Sequence, residues 1–131
     1  MEAGEIYFFT EDSPIGVKKH MHVCIKQIDS VLMFSACTSQ MGTAYRYYQF
    51  RGWDLNTFVC IRKDSKNRFR EDYTFINCND VYMCPMTEFE EYVRDGFIHK
   101  LSGLITEDQL ISITKGVHLS KTVPEEIKRL F

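Results

Sequence analysis

The chain lacks several sequence patterns that identify disulfide-rich, zinc-binding, secreted or membrane proteins. It has no C-x-x-C pair, and its five cysteines are widely spaced and mostly inside apolar runs. We therefore expect buried, reduced thiols, not a disulfide framework or a zinc site. No apolar run approaches the roughly 18–20 residues that span a bilayer, and no signal peptide is visible. These absences predict a soluble cytoplasmic protein that does not bind a membrane.

Common enzyme signatures are also missing. There is no P-loop, dinucleotide fingerprint, Ser/His/Asp motif or paired-carboxylate signature, and there is no internal repeat or low-complexity tract. A chain of 131 residues is long enough to bury a core and fits one domain, residues 1–131.

Charge is nearly balanced overall but unevenly distributed. The formal net charge is −2, yet the stretch from Lys18 to Arg70 holds ten basic and three acidic residues. From Glu71 onward there are six basic and eleven acidic residues. The basic half could face a polyanion, and the alternative is a solvated surface with chance clustering.

Short apolar runs between turn residues predict a mainly β chain. Boxes of the S/T-x-x-E/Q form beginning at Thr87, Thr106 and Thr122 predict three short helices, of which the second ends before Gly116. The pattern favours a small, strongly curved antiparallel sheet or barrel with a short mid-chain helix and C-terminal helices. Strands are predicted at 4–9, 20–37 (a hairpin with its connection at 26–30), 57–62, 73–77, 81–84 and 97–101; residues 38–56 form a long connection, in which 44–50 could be another strand.

Polar side chains flank the predicted hairpin. His20 and His22 begin its first strand, and Thr38, Ser39 and Gln40 follow its second. The start of one antiparallel strand lies beside the end of its partner, so we expect these groups at one edge. The two histidines should share a face, and histidine can serve as an acid or base near neutral pH. Alternatively, both are surface residues, one is a hydrogen-bonded core histidine, or the pair belongs to a metal site whose further ligands are not evident.

The order of elements and several short motifs resemble the MazF/PemK/Kid family of toxin ribonucleases. Residues 4–7 (GEIY) look like that family's opening strand, and residues 34–40 (FSACTSQ) look like its strand ending in Thr-Ser/Ala-Gln. Residues 20–26 stand where the family has Arg-Pro followed by an apolar strand, and residues 68–89 look like its later strand segment. The resemblance covers most of the chain and implies an SH3-like antiparallel β-barrel, a fold shared with the CcdB toxins.

The same resemblance implies a function. Family members cleave single-stranded RNA without a metal or other cofactor: the ribose 2′-hydroxyl attacks the adjacent phosphate and leaves a cyclic phosphate and a 5′-hydroxyl. It also implies the toxin half of a toxin–antitoxin or phage-defence pair, a homodimer, and an antitoxin that is a protein or an RNA. His20 stands in place of the family's arginine, so His20 takes over its role, a nearby Lys18, Lys19 or Arg46 supplies the charge, or activity is lost.

From this resemblance His20 is the candidate acid or base, and Thr38 and Ser39 are candidates for holding phosphate oxygens. Between Tyr45 and Trp53 aromatic and basic residues interleave, which suits single-stranded RNA, although some of these aromatics could be core. The alternative function is a non-catalytic SH3-like barrel that binds a protein partner, as CcdB-type toxins do. The RNA-binding candidates are Lys18, Lys19, His22, Gln40, Arg46, Tyr48 and Arg68.

A second basic cluster lies in the predicted turn after the strand at 57–62. It reads either as a phosphate-contacting rim or as a solvated hairpin tip. Its members are Arg62, Lys63, Lys66, Arg68 and Arg70.

Overall fold

A computed structural model describes residues 1–40, 42, 46, 49–52 and 54–131 of the chain. Within these residues seven strands form one antiparallel sheet. A 3₁₀ turn, Leu55–Thr57, precedes the fourth strand. The strands are β1 (Glu5–Phe9), β2 (His20–Ile28), β3 (Val31–Thr38), β4 (Phe58–Arg62), β5 (Tyr73–Asn77), β6 (Tyr82–Pro85) and β7 (Ile98–Leu104); the helices are α1 (Met86–Arg94), α2 (Glu107–Leu119) and α3 (Glu125–Lys128).

The strands run in the order β4-β5-β3-β2-β1-β7, and β6 pairs with β3 off this path. The two halves of β3 have different partners on the same side: β6 pairs with Val31–Phe34, and β5 pairs with Cys37 and Thr38. The predicted mainly β architecture with a mid-chain helix and C-terminal helices is confirmed. Among the described residues no ladder joins β4 to β7, so closure of the sheet into an SH3-like barrel stays a prediction.

The predicted hairpin is present, with longer strands and a shorter turn than expected. β2 continues through the stretch assigned to the connection, and only Asp29 and Ser30 separate the strands. Asp29 has φ +52°, which two-residue hairpin turns require. The register pairs His22 with Ala36 and shifts between Cys24 and Lys26, where a bulge lies.

The sheet buries an apolar cluster on each face. One cluster includes Ile6, Val23 and Met33 and is covered by α2 through Ile113 and Val117. The other includes Tyr7, Phe9 and Phe34 and is covered by α1 through Phe89. Because alternate residues of a strand point to opposite faces, strands covered on both faces are continuously apolar, as in residues 32–34 of β3. Of the five cysteines, which are all free, Cys60 is exposed and the others are buried.

All three predicted helices form, with differences at their ends. The box at Thr106 is made in full: its hydroxyl accepts from Gln109 N, and the Gln109 side chain accepts from Thr106 N. The other two helices begin after Pro85 and Pro124 without a side-chain cap. No helix among the described residues has both the length and the apolar character needed to cross a bilayer.

The predicted end of α2 before Gly116 is wrong, because this glycine lies inside the helix. A Cβ at Gly116 would lie 2.8 Å from Cys78 Sγ and 3.0 Å from the carbonyl oxygen of Asn56. The missing side chain therefore lets α2 approach Cys78, which follows β5, and the backbone of the 3₁₀ turn; this is a packing role and not a helix stop.

The 38–56 connection contains helical backbone at residues 42, 46 and 49–51. A strand at 44–50 is therefore wrong for Arg46, Gln49 and Phe50. Phe50 is 84% exposed, so it is not a core residue. Tyr45, Tyr47, Tyr48 and Trp53 lie outside the described residues.

The connection between β4 and β5, residues 63–72, packs against the end of β7. Leu104 N donates to the carbonyl oxygen of Lys66 at 2.9 Å. One residue earlier, a Cβ on Gly103 would overlap the carbonyl group of Asn67. A glycine inside a strand often marks such a close approach of another backbone. Here the contact brings the connection between β4 and β5, at one end of the strand order, against β7 at the other end.

We predict that Gly103→Ala destabilises the protein by about 3 kcal/mol, because the methyl group must displace the Asn67 backbone. Urea unfolding measures the change. Gly42→Ala is the matched control, since a Cβ there would meet no described atom within 4 Å. Equal stability of both variants would contradict the close approach.

Candidate functional site

A cavity of about 780 Å³ opens where the start of β2, the end of β3 and the 63–72 connection meet. Six of the residues predicted from sequence line it: Lys19, His20, Thr38, Ser39, Gln40 and Arg68. The hairpin places five of these six residues together, because the start of β2 and the end of β3 are neighbours in the antiparallel register. Its apolar lining comes from Ile6, Phe8, Val17, Met21, Ala36, Cys37, Phe58, Phe69 and Leu101.

The cationic side chains around this cavity outnumber the acidic ones. Lys19, Arg68 and Arg70 line it together with Glu71. Lys19 forms an exposed ion pair with Glu11, Nζ to Oε2 at 3.4 Å. A cavity with an apolar lining and cations at its edge can accept an anionic ligand that also carries an apolar part.

His20 is exposed, and its ring is oriented by its own chain. Nδ1 lies 2.9 Å from the carbonyl oxygen of Lys18. A carbonyl only accepts hydrogen bonds, so Nδ1 carries the hydrogen in this contact. In the neutral ring Nε2 then has a free lone pair, which can accept a proton from a ligand.

Thr38 is the last residue of β3, and its hydroxyl oxygen accepts one hydrogen bond. Gln40 N donates to Thr38 Oγ1 at 3.2 Å. Because Oγ1 acts as the acceptor in that bond, its own hydrogen remains available for donation into the cavity. Ser39 follows on the exposed side and adds a second hydroxyl at the same edge.

Cys37 also lines the cavity, but its chemistry differs. The residue is 3% exposed, and burial raises the pKa of its thiol well above the ordinary value. A thiol held in its protonated form is a poor nucleophile, so Cys37 contributes packing to the wall.

His22 does not join this site, which corrects its place among the RNA-binding candidates. Its ring is fully buried and stacks on Phe9 with the centroids 3.7 Å apart. Nε2 accepts from Val17 N at 3.0 Å, and Nδ1 donates to the carbonyl oxygen of His20 at 3.0 Å. Burial lowers the pKa of His22 to about 4, so it is a neutral core histidine. Both ring nitrogens are occupied, so the His-x-His pair does not offer two free ligands to a metal.

The other candidates separate into three cases. Lys18 is exposed but does not line the cavity, and it contributes its carbonyl to His20 instead. Arg46 is exposed and is not among the described residues that form the walls. Tyr48 lies outside the described residues. Within the described part of the chain no group of three or more His, Cys, Asp or Glu side chains is arranged to hold a metal ion.

Several lining residues are not among the site residues predicted from the sequence. Arg70 stands out there only as a member of a basic cluster, and Asn67, Glu71 and Ser102 do not stand out at all. In the structure Asn67, Arg68, Phe69 and Arg70 alternate between buried and exposed, but the polar Asn67 breaks the apolar alternation by which a sequence would show it. Nothing in the sequence around Ser102 predicts its position, because long-range packing of the chain is what places β7 beside the cavity.

A scan against models of protein families finds no match to this chain, and a search of curated proteins finds none. Membership of the MazF/PemK/Kid family therefore stays a prediction that rests on the short motifs and the strand order.

We predict that the buried His22 makes stability depend on pH. In the unfolded chain this imidazole takes up a proton near its ordinary pKa of 6.5, whereas in the folded protein it does so only near pH 4. The free energy of unfolding should thus be highest above pH 6.5 and fall by about 3 kcal/mol on acidification to pH 4, since the unfolded state binds the proton more tightly.

Urea unfolding at several pH values, in wild type and in His22→Gln, isolates this contribution, because glutamine does not titrate. His99→Gln removes an exposed histidine and serves as the control. If His22→Gln and wild type lose stability equally between pH 6.5 and 4, the buried-histidine account is wrong.

Proposed function

We propose that this chain is a metal-independent endoribonuclease that cleaves single-stranded RNA to cyclic phosphate and 5′-hydroxyl ends. One observation carries the proposal: His20, Thr38 and Ser39, which the family resemblance nominates for chemistry, line a single cavity with Lys19, Gln40 and Arg68. The lining also suits a nucleotide, because apolar walls accept a base and cations accept its phosphate.

His20 acts as the general base in this proposal. Nδ1 is engaged with the Lys18 carbonyl, so Nε2 takes the proton from the ribose 2′-hydroxyl. The 2′-oxygen then bonds to phosphorus, the bond from phosphorus to the 5′-oxygen breaks, and the 5′-oxygen takes a proton from solvent. The phosphate becomes cyclic, and no oxidant, reductant or second substrate is consumed.

The other groups stabilise charge on the phosphate. Thr38 donates its hydroxyl hydrogen, which the bond from Gln40 N leaves available, and Ser39 offers a second hydroxyl. Lys19 supplies positive charge beside His20 in place of the family's arginine. Donors aimed at the oxygens where charge develops lower the barrier without moving during the reaction.

The resemblance also supports a biological setting. In this proposal the chain is the toxin half of a toxin–antitoxin or phage-defence pair, it works as a homodimer, and a protein or RNA antitoxin prevents RNA from reaching the cavity. A short neighbouring gene for an acidic partner would strengthen this setting.

We predict that His20→Ala lowers kcat by roughly a hundred- to ten-thousandfold, and that Thr38→Ala lowers it by roughly a hundredfold. Purified protein is incubated with single-stranded RNA, and the fragment ends are tested for cyclic phosphate and 5′-hydroxyl. A chelator should leave the rate unchanged. His99→Ala, an exposed histidine of β7 that does not line the cavity, should be as active as wild type.

Induced expression provides the cellular version of the same test. Wild type should arrest growth and fragment RNA, whereas folded His20→Ala should do neither. If wild type is harmless, or arrests growth while RNA stays intact, the nuclease proposal fails and the non-catalytic barrel that binds a protein partner replaces it. A rate that disappears with the chelator would contradict metal independence.

A further inference from the structure

Arg68 and Arg70 approach the cavity from a part of the chain distant from His20. They belong to the connection between β4 and β5, and both line the same cavity as Lys19 and His20. A ligand at His20 that extends along the cavity therefore meets these two guanidinium groups as well.

This connection is held in place by its own hydrogen bonds. Asn67 is 3% exposed. Its Oδ1 accepts from Asp64 N at 3.1 Å and Phe69 N at 3.0 Å, and its Nδ2 donates to the carbonyl oxygen of Arg62 at 2.9 Å. With the bond from Leu104 N to Lys66, these contacts leave the backbone around Arg68 little freedom to move. A preorganised wall loses less entropy when a ligand binds.

The two guanidinium groups are not neutralised within the described part of the chain. The nearby Lys63 pairs with Asp72 at 3.0 Å, but neither Arg68 nor Arg70 has a carboxylate within ion-pair distance among the described residues. Arg68 donates from Nη1 to Ser102 Oγ at 3.3 Å, which uses one of its five donors. Glu71 also lines the cavity but pairs with neither arginine. Arginines without an ion-pair partner on a well-held backbone favour a bidentate anion such as a phosphodiester.

Backbone conformation gives an independent indication. Arg68 has φ +56° and Lys19 has φ +59°. This left-handed conformation is unfavourable for residues other than glycine and costs on the order of 1 kcal/mol each, a strain that concentrates at functional sites. Asp29 shares it, but there the hairpin turn explains it. Apart from Asp29, the described non-glycine residues with a positive φ are Lys19 and Arg68, and both are cations that line this cavity.

We propose that Arg68 and Arg70 form a second phosphate subsite, which holds a phosphodiester of the single-stranded RNA next to the one cleaved at His20. This inference rests on the proposed function for its ligand. The subsite strengthens substrate binding equally before and during the reaction, so it determines KM and the salt dependence of binding while His20 determines kcat.

The test measures binding without cleavage. The probe is a fluorescently labelled, mixed-sequence single-stranded RNA whose 2′-hydroxyls are methylated, so that the attacking group is blocked. Anisotropy gives Kd over a salt series for wild type, Arg68→Ala, Arg70→Ala and the double variant. Lys66→Ala is the control, because Lys66 is an exposed cation of the same connection whose side chain does not line the cavity.

We expect each arginine variant to raise Kd about tenfold, as the loss of a charge-assisted contact predicts. The double variant should lower the slope of log K against log salt by about 0.7, the value for one phosphate contact on a single strand. With unmodified RNA, KM should rise while kcat stays within about twofold of wild type. Circular dichroism and thermal unfolding should match wild type for every variant.

The outcomes separate this inference from the proposed function. If the arginine variants bind like Lys66→Ala, or if wild type does not bind the probe, the subsite is overturned whether or not RNA is cleaved. If wild type binds with the arginine dependence described but never cleaves unmodified RNA, the subsite stands and the nuclease proposal fails. A loss of kcat at saturating RNA would overturn the assignment to binding alone.

Discussion

The antiparallel pairing of β2 with β3 is the interaction on which the candidate site depends. The register pairs His22 with Ala36. The first residue of β2 and the last residue of β3 therefore lie beside each other, at the end of the hairpin opposite its turn. His20 and Thr38 reach a common cavity because of that pairing, although eighteen positions separate them in the chain. A two-residue turn at Asp29 and Ser30 keeps the pairing in register.

A second constraint brings in charge from elsewhere in the sequence. The 63–72 connection packs on β7, where Gly103 leaves room for the Asn67 backbone. Arg68 and Arg70 thereby line the same cavity as His20. The positive charge that the sequence shows as a cluster in one turn becomes part of a wall only through this contact, because nothing local orients the turn toward the hairpin.

His20 and His22 illustrate how burial separates residues that look equivalent. They lie two positions apart on β2, yet one is exposed at the cavity and the other is enclosed beside Phe9. The buried ring has its two hydrogen bonds satisfied by Val17 N and the His20 carbonyl. His22 thus connects the backbone of Val17, before β2, to the backbone of His20. In the folded protein its ring is neutral at physiological pH.

Local patterns were sufficient to predict most elements, including β5 at residues 73–77 as observed and the cap of α2 at Thr106. Strand alternation and capping depend on neighbours in the chain, so the sequence by itself determined the mainly β class, the hairpin and the placement of His20, Thr38 and Ser39 at one end of it. Their candidate chemical roles came from the family resemblance. Only the tertiary structure decided that α2 continues through Gly116, that His22 is core and that Arg70, Asn67 and Ser102 line the cavity. The reason is physical: these outcomes are set by contacts between residues far apart in the chain, and no local pattern of residue types encodes such contacts.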